Sequence, residues 1–264
     1  MIIDFHTHVF PSLMAEKTLP EVSHRAKIDY FIDGSVNGLL DSMHGAGIDI
    51  SAVSRITTKP EQVKSVNTWL RDIKYNSIIP MATWHPEIII DPEWISELIS
   101  LGFKCMKLHP DYQGFFADEK RIFPLYDAAQ ELGMPILFHA GLDRGLPPPV
   151  HATPEMLLKV HETFPRLTMI AAHMGGEDNY EDTEKYLLGR GIYLDTSFVL
   201  RKMPLGLLEH FMNKHPIEHI LFGSDSPWAD QAQELDYLFS LPFLKQREKE
   251  MIAGINAVNL LKLS

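Results

Sequence analysis

Residues 103–138, FKCMKLHPDYQGFFADEKRIFPLYDAAQELGMPILF, carry the pattern that decides the fold. The apolar run Phe103–Leu108 is short enough for a buried strand. Phe123–Leu132 has helical spacing and stops at Gly133, and Pro135–Phe138 is a second short apolar run. Strand, helix, strand at this spacing is a parallel crossover unit, which places two neighbouring strands side by side with their carboxyl ends together. Outward from it the alternation repeats. On the amino-terminal side stand Ile2–Phe5, a helical stretch at Gly38–His44, strand Ile48–Ile56, helix Glu61–Lys74, strand Ile78–Trp84, and helix Pro92–Leu101 behind the cap Asp91. On the carboxyl side come helix Pro154–Phe164 behind Thr153, strand Leu167–Ala172, helix Glu181–Leu188, strand Ile192–Leu194 and helix Leu205–Asn213. Strand His219–Phe222 and helical patterns at Gln231–Ser240 and Gln246–Leu261 complete the series. Eight strand-like runs, each followed by helix, predict an α/β fold: one (β/α)₈ TIM barrel domain spanning 1–264. A doubly wound open sheet is the rival, but it gives no reason for polar residues to end so many strands. Phe10–Asp33 and Gly141–Ala152 are expected as loops on the catalytic face.

Composition narrows the function classes. The chain has 24 Lys+Arg against 35 Asp+Glu, a formal net charge of −11, which argues against a surface for nucleic acid. One cysteine, Cys105, excludes an intrachain disulfide and a Cys-rich zinc module. No apolar run approaches the roughly 18 to 20 residues of a membrane span. The opening MIIDFH has no basic leader or cleavage site, so a cytoplasmic protein is expected. The one compositional hint of chemistry is histidine, at 13 residues.

Several of those histidines fall at strand ends. His6 and His8 are two apart on the first strand and so share a face. His139 ends the fifth strand, His173 the sixth, and Asp225 follows the eighth. His6, His8, His139 and Asp225 together suit a divalent metal ion, zinc first, with one position open to water. Any one of these alone has a plainer reading, as a surface accident or a turn residue. Their coincidence on one rim is what carries the expectation. Lys107 and His109 share a face at the end of the fourth strand, with Cys105 packed beneath. Lys107 is expected to neutralise a substrate anion, and His109, Trp84 and Arg144 to contact substrate. Asp195 is a candidate orienter of a liganding imidazole.

The segments DFHTH (4–8), FHAG (138–141), AHMGG (172–176) and GSDSPW (223–228) resemble the amidohydrolase superfamily, and within it the amidohydrolase-2 group, which includes decarboxylases of the aminocarboxymuconate-semialdehyde type. The resemblance runs from residue 1 to GINAVNLL (254–261). It implies a TIM-barrel enzyme in which His6, His8 and His139 fall on metal-ligand positions. Asp225 would touch the metal or its water and shuttle protons, and His173 would act as acid or base. It further implies that Lys107, if carboxylated, and His173 could hold a second ion, although one ion is expected before two. The leading expectation is a hydrolase of a small amide, lactone or ester, with Asp225 taking a proton from water and His173 or the metal stabilising the oxyanion. The alternative is a non-oxidative decarboxylase, or a hydratase, of a small unsaturated or aromatic carboxylic acid. A non-catalytic metal-binding sensor or scaffold and a metal-dependent phosphoesterase are further readings. A small, anionic substrate is the expected partner, without nucleic acid or membrane, and self-association is left open.

Overall fold

A computed structural model describes residues 1–263, and it shows an α/β barrel of parallel strands. The strands are, in order, Ile3–His8, Ile50–Ser54, a third in two pieces (Ile78–Pro80 and Ala82–Thr83), Met106–Leu108, Ile136–Phe138, Met169–Ala171, Tyr193–Asp195 and Ile220–Leu221. Each pairs in parallel with the next. The third strand divides at Pro80, whose nitrogen carries no hydrogen to donate. Met81 bridges the division: its N–H donates to the Val53 carbonyl at 2.8 Å, and Ala82 N–H turns to the Cys105 carbonyl at 2.8 Å. The ring closes between the eighth and first strands. Phe5 N–H donates to the Phe222 carbonyl and Asp225 N–H to the His6 carbonyl, both at 2.8 Å, and Thr7 bridges Ser226.

Two apolar layers follow from strand parity. Ile3, Phe5, Ala52, Ile79, Met81, Cys105, Leu137, Ile170 and Leu221 fill the barrel interior, closed from below by Ala257 and Leu261 of the last helix. Opposite-parity residues such as Val53, Met106, Ile136, Phe138 and Met169 pack outward against the helices. Beneath the mouth, the buried Asp4 carboxylate ties the first strand to the eighth. It accepts from Ser224 N–H at 2.9 Å, from Ser224 Oγ, and from Gln231 Nε2 at 2.8 Å.

Most helices stand where the sequence places them. Asp91 caps Pro92–Ser100, Thr153 caps Pro154–Thr163, and Gly133 in the left-handed region ends Phe123–Leu132. Two segments differ. Phe10–Asp33 is not simply loop, because Ser12–Ala26 is helical and lies over the mouth. It has no side-chain cap at its start and a proline, Pro20, inside it, so the local signals of a helix are missing. The predicted Gln246–Leu261 helix is three pieces, with a π-helical turn at Met251–Ile255. Among the described residues no helix is long and apolar enough to cross a membrane.

One buried histidine away from the mouth gives the fold a pH dependence. His215 donates from Nε2 to the Ile192 carbonyl at 3.0 Å and accepts from Gly189 N–H at 3.3 Å. Burial lowers its pKa to about 4 from the ordinary 6.5. Between those values the unfolded chain binds a proton that the fold refuses, so stability present above pH 6.5 is lost as pH falls toward 4. The limiting slope from this group is about 1.4 kcal/mol per pH unit. Urea denaturation at a series of pH values should show a steeper acid decline for the wild type than for His215→Gln; parallel curves would contradict the assignment.

Candidate active site

The first strand contains one extra residue. Asp4 pairs with Ser51 and Thr7 with Val53, so Phe5 and His6 together oppose Ala52. A bulge of this kind re-aims side chains. Ile3 and Phe5 point into the interior cluster, and past the bulge His6 and His8 face the mouth together, as their spacing requires. At the eighth strand's end, Asp225 sits at φ 73° and turns its carboxylate to both rings. Asp225 Oδ1 is 3.4 Å from His6 Nε2 and 3.1 Å from His8 Nε2.

The hydrogen bonds on the far side of each ring decide what faces inward. His6 Nδ1 lies 2.8 Å from Asp195 Oδ2, which can only accept, so Nδ1 carries the hydrogen. Ser54 Oγ donates to the Thr7 carbonyl, which leaves His8 Nδ1 to donate to Ser54 Oγ at 3.1 Å. In the neutral rings both Nε2 atoms are then bare lone pairs pointed at a carboxylate oxygen. The Lys107 ammonium can donate to His6 Nε2, but His8 Nε2 and Asp225 Oδ1 face each other as acceptors, which repel unless a cation or a proton lies between them. His139 adds a fourth acceptor. His173 Nδ1 donates to the Ser197 carbonyl at 3.0 Å, so its neutral Nε2 accepts from His139 Nδ1 at 3.0 Å. His139 Nε2 is thereby an unprotonated atom, buried and without a partner. The ligand atoms of His6, His8 and Asp225 lie close together and fit a divalent ion of the zinc or manganese kind, and His139 lines the same cavity.

Burial and hydrogen bonds hold these groups in place. Burial, then the nearby Lys107 ammonium, lowers the His6 pKa to about 4. Burial also brings Lys107 down to about 8, partly offset by Asp195 and Asp225. Its Nζ lies 3.0 Å from His6 Nε2. Burial pushes Asp195 upward, but His6, His173 and Lys107 outweigh it and hold the carboxyl below its ordinary range. Burial likewise raises Asp225; against it, a hydrogen bond that His8 Nε2 can donate only in its protonated form, with the charges of the protonated His6 and His8 rings, brings it to about 2. Asp195 Oδ1 receives His173 N–H at 2.9 Å, Ser197 N–H at 3.1 Å and Ser197 Oγ–H, so one carboxylate fixes two histidines and a serine.

His109 lies against His139, rings 4.0 Å apart and 9° from parallel, and its Nε2 is 3.2 Å from Asp143 Oδ2. Three ligand-type atoms of His109, His139 and Asp143 are close together. Parallel stacked rings, however, send their in-plane lone pairs side by side and not toward a common point, so this trio is a braced wall and not a chelate. It holds the His139 ring in orientation.

A cavity of about 210 Å³ opens above these groups. His6, His8, Lys107, His139, His173 and Asp225 form its floor. Phe10, Ile28, Ile56, Phe198 and Trp228 give it an apolar side, and Thr18, Val22 and Ala26 of the overlying helix roof it. His109 lines it, as expected. Arg144 lines it too, but Glu177 at 2.5 Å and Asp178 at 3.0 Å already hold its guanidinium. Trp84, expected at the substrate, is 1% exposed and packs in the layer between strands and helices; its carbonyl accepts from Thr57 and Gln113. The sequence reading missed Ser54, Tyr112, Asp143, Glu177, Ser197 and Phe198. Ser197 lies two residues after Asp195 and Ser54 ends its strand, so parity offered a hint for those two. Tyr112 lies in the one-turn helix Pro110–Gln113 and the others in loops, where no periodicity points inward.

Comparison with known proteins follows the same line. The amidohydrolase family model matches residues 89–263, about two thirds of the chain. No curated protein matches. Among solved structures, an uncharacterised TIM-barrel protein from Bordetella bronchiseptica is similar with TM-score 0.78 and 19% identity, covering 99% of this chain and 98% of that one. The 5-carboxyvanillate decarboxylase of Sphingomonas paucimobilis gives 0.74 and 14%, covering 100% and 99%. A dihydroxybenzoic acid decarboxylase from Polaromonas sp. JS666, with bound manganese and the inhibitor 2-nitroresorcinol, gives 0.74 and 18%, covering 99% and 97%. At these identities the likeness establishes the barrel fold.

Gly223 tests the packing that positions His6. A Cβ there would stand 2.8 Å from His6 Cβ and 3.2 Å from Ser197 Cβ, neither of which is the end of a flexible chain. Gly223→Ala should cost about 1–3 kcal/mol, read as a lower thermal midpoint by roughly 2–4 °C per kcal/mol. An unchanged midpoint would show that the floor yields.

Proposed function

Because the chain belongs to the amidohydrolase family, in its amidohydrolase-2 group, we propose that it is a metal-dependent decarboxylase of a small unsaturated or aromatic carboxylic acid. The observation that carries this reading is the two-sided cavity: cationic and ligand groups on the floor, aromatic and aliphatic side chains on one wall. A carboxylate held against such a wall loses hydration that nothing on the wall replaces, while the departing CO₂ is uncharged and at home there. Two similar barrels that act as decarboxylases, one of them with manganese, support it.

His6 and His8 through Nε2, His139 through its unpartnered Nε2, and Asp225 through Oδ1 would hold the ion. When bound, a divalent ion supplies positive charge to a substrate oxygen and acidifies water in an open position. Lys107 adds a second positive charge at the floor, offsetting the repulsion that a protein of net charge −11 exerts on an anion. Breaking the bond to the carboxylate leaves an electron pair on carbon, and a proton must take it. Asp225 faces the cavity and is ionised at neutral pH, so it can accept a proton from a substrate hydroxyl or water and return it to that carbon. His173, anchored by Ser197 and Asp195, orients His139 and closes the floor behind it.

The family's amidohydrolase description supports hydrolysis as the second reading, since the same Asp225 could take a proton from attacking water. The two differ in product. Incubation with a panel of aromatic and unsaturated acids, amides and lactones should release CO₂ from an acid, stop after dialysis against a chelator and resume with manganese or zinc. Acid release from amides or lactones without CO₂ would replace the first reading with the second. Asp225→Asn should lower turnover at least about 100-fold, and full turnover would remove Asp225 from the chemistry. Asp195→Asn, which takes away the partner of His6 Nδ1, should weaken metal affinity about 10–100-fold in a competitive chelator titration; an unchanged affinity would contradict its orienting role.

A further inference from the structure

Seven non-glycine residues among those described have positive φ. Lys27 and Lys262 end helices, where the left-handed conformation is ordinary. The other five, His173, Met174, Asp178, Phe198 and Asp225, lie on the three loops that follow the sixth, seventh and eighth strands and border the cavity. Aspartate and histidine tolerate this conformation; Met174 and Phe198 suit it less, and of these two Phe198, at φ 64°, is the one that lines the cavity. Strain of that kind persists only where the surroundings impose it.

The surroundings of Phe198 are specific. Its predecessor Ser197 is fixed by Asp195, His6 and His173, and its own N–H donates to the Ser224 carbonyl at 3.1 Å. An extended continuation of the strand would alternate these two side chains to opposite faces. The left-handed turn instead gives both to the site, Ser197 under the histidines and Phe198 in the cavity wall. The ring is 4% exposed and stands edge-on to His173 at 6.4 Å. Lys202 Nζ lies over it, and Arg144 Cζ is 5.9 Å from its centroid. Arg144 is already paired with carboxylates, and Lys202 has no ion-pair partner among the described residues. The ring is therefore a rigid planar group in the cavity wall, backed by the Lys202 ammonium, which is not among the lining residues.

We infer that Phe198 is a specificity-determining residue, whose ring, with the Lys202 ammonium behind it, receives the flat unsaturated face of the substrate. This rests on the reading of the site as one for unsaturated or aromatic acids, and it names the residue that selects for planarity. The substrate need not react for the selection to be measured. Calorimetric titration of the metal-loaded protein with benzoate and with cyclohexanecarboxylate compares two anions of equal charge and similar size, one flat and one puckered. The wild type should bind benzoate several-fold to about tenfold more tightly, the scale of one aromatic contact. Phe198→Leu and, as a second variant close in volume, Phe198→Met should bring the ratio near one, whereas Phe198→Tyr should keep it. Lys202→Gln, which keeps the ring, should leave the ratio alone. A ratio near one in the wild type, or a wild-type ratio retained in both aliphatic variants, overturns the inference. A planar preference that depends on Phe198, without CO₂ release from any acid, would leave this assignment standing and remove the decarboxylase reading.

Discussion

The hydrogen bond from His6 Nδ1 to the buried Asp195 carboxylate, 2.8 Å long, is the contact on which the mouth of the barrel depends. It fixes the tautomer of His6 and so sends a bare Nε2 toward His8 and Asp225. The same carboxylate binds the His173 backbone and Ser197, so the sixth and seventh strand ends share one anchor. A carboxylate so deep in the fold is costly unless charge and hydrogen bonds surround it. Here the Lys107 ammonium supplies charge, and the His6 ring, the His173 and Ser197 N–H groups and the Ser197 hydroxyl supply hydrogen bonds. Charge inside the barrel is therefore organised in layers: Asp195 behind, imidazoles in front of it, and Asp225 facing them across the place where acceptors converge.

Much of this was legible in the sequence, for a definite reason. Period-two alternation places Cys105 and Lys107 on one face and outlines the barrel strands. His6, His8, His139, His173 and Asp225 were visible because each ends an apolar run. The bulge between Asp4 and Thr7 was not visible, although it lets Phe5 fill the interior while His6 reaches the mouth. Nor was the stack of His109 on His139, which joins two strands whose register no local pattern records. The helix Ser12–Ala26 was hidden because its start lacks a capping side chain and its middle holds a proline. Loop residues such as Asp143, Glu177 and Phe198 gave no signal, since their direction is set by tertiary contacts and, for Phe198, by a backbone conformation that its side chain disfavours.

The reaction is a separate matter from the site. Imidazoles, a carboxylate and a buried lysine serve decarboxylation and hydrolysis alike, and the floor of the cavity does not distinguish them. The proposal of a decarboxylase rests on the walls, where an apolar side with an aromatic ring would suit a flat, poorly hydrated substrate. Within an acidic protein, the floor, with Lys107, is where an anion would meet positive charge.

The central claim is that bare ring nitrogens of His6, His8 and His139 and an oxygen of Asp225 converge on one cation. X-ray absorption at the metal edge of zinc-loaded protein tests it most directly. The account predicts one tightly held ion per chain whose first shell shows imidazole scattering with nitrogen at about 2.0–2.1 Å, together with oxygen. A shell of oxygen alone, without imidazole scattering, would contradict it.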